Sequence, residues 1–257
     1  YKEAQDYYER ALHIEERALG PAHPRVGSTL REMGSLLLEQ GLYQQATPTL
    51  RRALAITKAQ PRSDEEEQGR SQMLLATALR SQGLFEEALA LQDAVLERRR
   101  AAPGAHPGRV SSALVSRCQT RLLQKDLEAA LRDAQQAVEF AKTTPAVEPG
   151  ELAEAHQMLG RVLLRQGNPT AAQPELQEAL RLREKLGDSG ELGSLLVLIA
   201  DGLISLNQPA AALPLLERAL QLKASRELAT VRLRADASFA KARALLALAR
   251  NLDSADR

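Results

Sequence analysis

Apolar residues recur at helical spacing along nearly the whole chain. Leu30, Met33 and Leu37 form one stripe and Leu196, Ile199 and Leu203 another, in steps of three and four that place each set on a single helix face. Breakers stand after these stripes, as in Gln40-Gly41-Leu42-Tyr43, Gln82-Gly83-Leu84-Phe85 and Gln166-Gly167-Asn168-Pro169. The pattern predicts pairs of helices, A then B, each joined by a tight turn.

Comparing the chain with itself shows that the pair repeats. A recurring alanine stands at Ala4, Ala46, Ala88, Ala130, Ala172 and Ala212, with spacings of 42, 42, 42, 42 and 40. Seven residues on, two helical turns later on the same face, stand Ala11, Ala53, Val95, Ala137, Ala179 and Ala219. A second column of small residues lies twelve residues before the recurring alanine, at Gly34, Ala76, Cys118, Gly160 and Ala200, continuing to Ala242. Both columns lack bulk, so helices A and B are expected to cross closely there. Pro48, Pro174 and Pro214 each follow the recurring alanine by two. Proline costs about 3 kcal/mol inside a helix but little in its first turn, so the prolines are expected in that turn and helix B is expected to start only a few residues before that alanine.

Proline and glycine clusters at Gly20–Pro24, Pro103–Pro107 and Thr144–Gly150 separate the units. The divisions expected are 1–22 (helix B alone), 23–61, 62–103, 104–147, 148–188, 189–225 and 226–257 (a terminal helix from about Leu228 to Arg250). The chain opens on a helix B without its helix A, and on that reading further repeats or another domain precede Tyr1.

A small residue, a turn glycine seven later, Ala five after that and Ala seven further resembles the tetratricopeptide repeat. The 42-residue period, the Gly-Pro-x-His-Pro connector and the Ala-x-Pro turn resemble its longer variant in kinesin light chains and bacterial multi-repeat proteins. The resemblance covers essentially the whole chain and implies an all-α fold, a right-handed α-α superhelix of about six helix-turn-helix units. Lys125 and Asn207 depart from the turn glycine, and Lys is the less suited to a left-handed backbone. Kinesin light chains place paired Asn on helix A. The matching positions here hold Arg31-Glu32, Met73-Leu74, Val115-Ser116, Gln157-Met158 and Val197-Leu198, so kinesin-type cargo binding does not carry over. The Lys-x-x-x-Asn carboxylate clamp of some relatives is likewise absent.

Helix A lines the concave side in such arrays, which assigns a candidate groove to three ladders counted from the small column. Three residues before it stand Arg31, Met73, Val115, Gln157, Val197 and Phe239; one after it Ser35, Thr77, Gln119, Arg161, Asp201 and Arg243; four after it Leu38, Arg80, Leu122, Leu164, Ile204 and Leu246. Two ladders are mostly apolar and the middle one is polar, an arrangement suited to an extended peptide or a partner helix. Arg80, Arg161 and Arg165 are placed to meet an acidic group, or else form a solvated basic face.

Composition agrees and narrows the function. The 257 residues include 43 Ala and 46 Leu but only 13 Val and Ile and 7 aromatics, favouring helix over sheet. Arg outnumbers Lys 27 to 7, an association with GC-rich bacterial genomes. A net charge of +1 gives no field to gather nucleic acid or anionic lipid, and no apolar run spans a bilayer, so neither partner is expected and a cytoplasmic location is.

Catalytic and metal chemistry finds no set of residues. Cys118, alone in the chain, sits in the small column as a compact hydrophobe. His23 and His106 precede Pro in equivalent connectors, and His13 and His156 fall on helices without a nucleophile. Asp64–Glu67 reads as a solvated loop and Arg98–Arg100 as a helix end favoured by the dipole. No cofactor, metal or enzymatic activity is expected. The function expected is a protein-binding scaffold. The alternative is the regulatory or sensor segment of a larger bacterial signalling protein, such as a Ser/Thr kinase, protease or transcription activator. Self-association through the terminal units is a third expectation.

Overall fold

A computed structural model describes residues 2–60, 65–101, 107–143, 147–187, 189–222 and 227–255. Among these, twelve α-helices and no strand occur: α1 Lys2–Leu19, α2 Pro24–Glu39, α3 Tyr43–Lys58, α4 Glu65–Ser81, α5 Phe85–Ala101, α6 Pro107–Gln124, α7 Leu127–Thr143, α8 Pro149–Arg165, α9 Pro169–Leu186, α10 Ser189–Ser205, α11 Pro209–Gln221 and α12 Glu227–Ala255. Helix A and helix B alternate as the repeat implies, giving an all-α solenoid. The helix α1 is a B helix and α12 an A helix.

The small columns are the crossings. Ala46, Ala88, Ala130, Ala172 and Ala212 are fully buried, as are Ala76, Cys118 and Ala200. Gly34 faces Leu50 so closely that a β-carbon there would stand 2.4 Å from a Leu50 methyl, and Gly160 faces Leu176 at the same 2.4 Å. Leu50 and Leu176 are themselves buried, and each contributes roughly 1.5–3 kcal/mol by leaving water.

One turn recurs between A and B. Gly41, Gly83 and Gly167 have φ of 74°, 79° and 76°, and the N–H of the next residue reaches back to the end of helix A, Leu42 to the Leu37 carbonyl, Leu84 to Leu79 and Asn168 to Leu163. Lys125 (φ 68°) and Asn207 (φ 58°) adopt the same left-handed backbone, with Asp126 N–H donating to Arg121 and Gln208 N–H to Leu203. The turn therefore forms at Lys125 despite its β-carbon.

The B helices α3, α9 and α11 start three residues before their recurring alanine, as expected, but the prolines do not fall in the first turn. Pro48, Pro174 and Pro214 are the sixth residues of α3, α9 and α11, in the second turn and not the first. The carbonyls that lose the i+4 donor belong to Gln44, Thr170 and Ala210, all exposed, where solvent can reach them. His23 acts locally, its Nδ1 accepting the Arg25 N–H at 3.2 Å and so capping α2. His106 and Asp64 lie outside the described residues. Glu65, Glu66 and Glu67 are not loop but the first turn of α4, where Glu66 pairs with Arg70 and with Arg99 of α5. The last helix runs to Ala255, past its expected end.

The chain divides into two compact units, Tyr1–Ala105 with Leu123–Lys125, and His106–Leu122 with Asp126–Arg257. The core of the first gathers Leu37, Leu50, Leu54, Leu75 and Leu79. That of the second gathers Leu176, Leu195, Ile199, Leu203 and Leu216 around Ala200 and Ala240. Among the described residues no helix is long and apolar enough to cross a membrane.

Candidate functional site

The helix A ladders do not share one fate. In the first unit, Arg31 of α2 is mostly covered and bonds to Glu67 of α4, while Met73 is half-buried. In the second unit, Val115 and Gln157 are only 2% and 7% exposed. These two were expected to line an open groove and instead are buried. Val197 is half-buried and Phe239, at 68%, is open.

The middle column keeps its polar groups near the surface. Thr77 spends its hydroxyl on the Met73 carbonyl at 3.0 Å, and Ser35 and Gln119 are half-buried. Arg243 of α12 donates to Asp201 of α10 at 2.8 Å and lies 6.0 Å from the Phe239 ring. Burial pushes the Asp201 carboxyl up, and Arg243 opposes it. In the outer column Leu38 and Arg80 of the first unit and Leu122, Leu164 and Ile204 of the second are half-buried, while Leu246 is exposed. Burial lowers the Arg80 guanidinium.

Arg161 stands apart in the middle column. Its Nε is enclosed and has no hydrogen-bond partner, and burial, with Arg165 adding to it, lowers the guanidinium from its ordinary value. Seven residues earlier on α8, on the same face, burial pushes the Glu154 carboxyl up, with Arg183 as the main opposing charge. Sequence reading missed Glu154, whose place two turns before Arg161 is no stronger a signal than that of any surface carboxylate. A buried cation ordinarily has an anion close by, since its desolvation is otherwise uncompensated.

Two more ionic contacts lie under this face in the second unit. Asp133 of α7, its side chain 1% exposed, accepts from Arg117 at 2.6 and 3.0 Å and pairs with Arg121 at 2.8 Å. His156 Nδ1 of α8 hydrogen-bonds to Glu175 of α9 at 2.6 Å. Each acid stands three residues after its recurring alanine and meets a basic group of its own helix A, so these are crossing contacts and not a nucleophile–base set.

Cys118 Sγ lies 3.3 Å from the Ala130 carbonyl. Burial pushes its thiol up to about 12, so at neutral pH it is a protonated packing group and not a nucleophile. No group of three or more metal-ligating side chains occurs among the described residues. Arg98–Arg100 do end α5, and Arg98 also bonds to Gln68 and Gln72 of α4.

The backbone resembles several solved repeat proteins. BtubC (BKLC) from P. vanneervenii superposes with a TM-score of 0.66 at 16% identity, over 85% of this chain and 87% of that one. A putative kinesin light chain repeat protein from Podosopora anserina gives 0.60 at 22%, over 77% and 94%. Bacillus thuringiensis PlcR, solved with the peptide PapR7 and DNA, gives 0.62 at 11%, over 75% and 68%. No curated protein sequence matches. The tetratricopeptide repeat models match residues 1–59, 151–225 and 70–107. With period, crossings, turns and these matches in agreement, the chain belongs to the tetratricopeptide repeat family.

Proposed function

We propose that the chain is a protein-interaction scaffold whose helix A face in the second unit captures a peptide or helical segment, with an acidic group of that segment meeting Arg161. The observation that carries this reading is a desolvated guanidinium whose Nε has no partner, in a column where Asp201 and Arg243 satisfy each other. Half-buried Leu122, Leu164 and Ile204 supply apolar area on the same helices. An incoming carboxylate recovers the energy that Arg161 loses to burial, which makes such a contact stronger than a surface pair. That PlcR, of similar fold, was solved with a peptide supports the reading. The role proposed is binding without chemistry.

The test is selection from a random peptide library on the immobilised chain, followed by affinity measurement on Arg161→Ala. Selected peptides are expected to carry an Asp, a Glu or a free C-terminus and to lose roughly tenfold or more in affinity for the variant. Peptides that bind Arg161→Ala as tightly as the parent overturn the proposal.

A further inference from the structure

Along α8, Glu154, Gln157 and Arg161 follow one another in steps of three and four, which sets them in one row on one helix face. None of the three is satisfied within the described chain. Glu154 makes no hydrogen bond or ion pair to any described residue, and Arg183 acts on its carboxylate only through space. Gln157 is 7% exposed, yet its amide has no hydrogen-bond partner among the described residues, and neither amide atom is fully enclosed, so the amide ends at the surface between its neighbours. The Arg161 Nε is enclosed and unbonded. The matching rows of other A helices are apolar or closed. In α4, Arg70 pairs with Glu66 and Thr77 with its own backbone, and in α10 Val197 is apolar and Asp201 is held by Arg243.

The row is also polarised. At its start, burial pushes the Glu154 carboxyl up, and Glu191 of α10 and Glu151 stand near enough to push it further. At its end Arg165 lies beside Arg161 and adds a second positive charge. Seven residues of helix put about 10 Å between Glu154 and Arg161, too far for the two to pair with each other. One end of the row therefore lacks a cation and the other an anion, with an unbonded amide between them.

We propose, resting on the capture of an acidic group by Arg161, that the bound segment is an extended peptide with a Lys or Arg about three residues from its acidic residue, the base held by Glu154. Gln157 selects the extended form. A helix has spent its backbone N–H and C=O groups internally, whereas an extended backbone offers both to an amide lying between the two charges. In an extended chain of three residues per turn and about 3.1 Å per residue, side chains three apart fall on one side about 9 Å from each other, which matches the row. Specificity follows from the same charges. A segment with an acid alone leaves the desolvated Glu154 carboxylate uncompensated, and one with a second acid in place of the base is repelled by Glu151, Glu154 and Glu191.

The test probes a synthetic array of random peptides, acetylated and amidated so that their termini carry no charge, with the intact chain. Binders are expected to be enriched in a Lys or Arg at that spacing from an Asp or Glu, and to lose roughly tenfold in affinity for Glu154→Gln, which keeps the shape and removes the charge. Glu154→Lys should reject them and instead bind the same peptides with their base changed to Glu, an exchange that a merely structural Glu154 would not produce. Circular dichroism checks that each variant keeps its helicity. Binders without a base at that spacing overturn the inference. Binders that depend on Arg161 but bind Glu154→Gln as tightly as the parent overturn it too, and leave the capture of an acid at Arg161 standing. Binders indifferent to Arg161→Ala, or an array without binders, overturn both.

Discussion

The α2–α3 and α6–α7 crossings occupy the same place in the repeat and are built from different chemistry. At the first, Gly34 admits Leu50, and the turn between the helices is made by Gly41. At the second, Cys118 stands for Gly34, Ala134 for Leu50 and Lys125 for Gly41, while Asp133 is buried between Arg117 and Arg121. The first crossing fills its space with one large apolar side chain seated on a bare backbone. The second divides the volume between two small side chains and an ion triad. What the repeat demands is therefore a total volume and a close approach, not a residue.

Removing the triad's acid should show the largest difference between them. Asp133→Ala leaves two largely covered guanidinium groups without their carboxylate, and is expected to cost about 3–5 kcal/mol in urea unfolding monitored by circular dichroism. The matching change in α3, Thr49→Ala, removes only a hydroxyl that bonds to the Gln45 carbonyl, and should be nearly neutral. Equal costs at the two sites would show that the triad carries no special share of the second crossing.

Next in size is Gly34→Val, which drives two methyl groups into Leu50 and is expected to cost roughly 2–3 kcal/mol. Adding Leu50→Ala to it should recover part of that loss, though Leu50→Ala alone destabilises. Such a non-additive cycle is the signature of volume sharing at the crossing, and strict additivity would contradict it.

The smallest effect is a gain. Lys125→Gly relieves a left-handed backbone in a residue with a β-carbon, worth about 1–2 kcal/mol, and gives back part through the freer unfolded chain. The net expected is a stabilisation of about 1 kcal/mol and a rise in Tm by scanning calorimetry. No rise would mean that Lys125 side-chain contacts offset the strain.

Much of the fold was legible in sequence because its signals are local and repeated. The small columns at Gly34, Ala76, Cys118, Gly160 and Ala200, the turns and the break between A and B were all readable from spacing. The site was legible only in part. Arg161 could be placed on the helix A face, but its lack of a partner could not. Val115 and Gln157 look like ladder members by register and are buried, and burial is set by neighbours that register alone does not reveal. Asp133 and Glu154 gave no sequence signal stronger than that of any surface carboxylate.

Sequence alone determined the repeat unit, its handed turns and the faces that must be small, because periodicity belongs to a single helix and survives without knowledge of its neighbours. The tertiary structure decided which charges are paired, that Arg161 Nε has no partner, and that Val115 and Gln157 are closed where Phe239 of the same ladder is open. Those are properties of neighbours: desolvation and pairing depend on what the adjacent helix brings to the contact, and identical positions in successive units differ only through it.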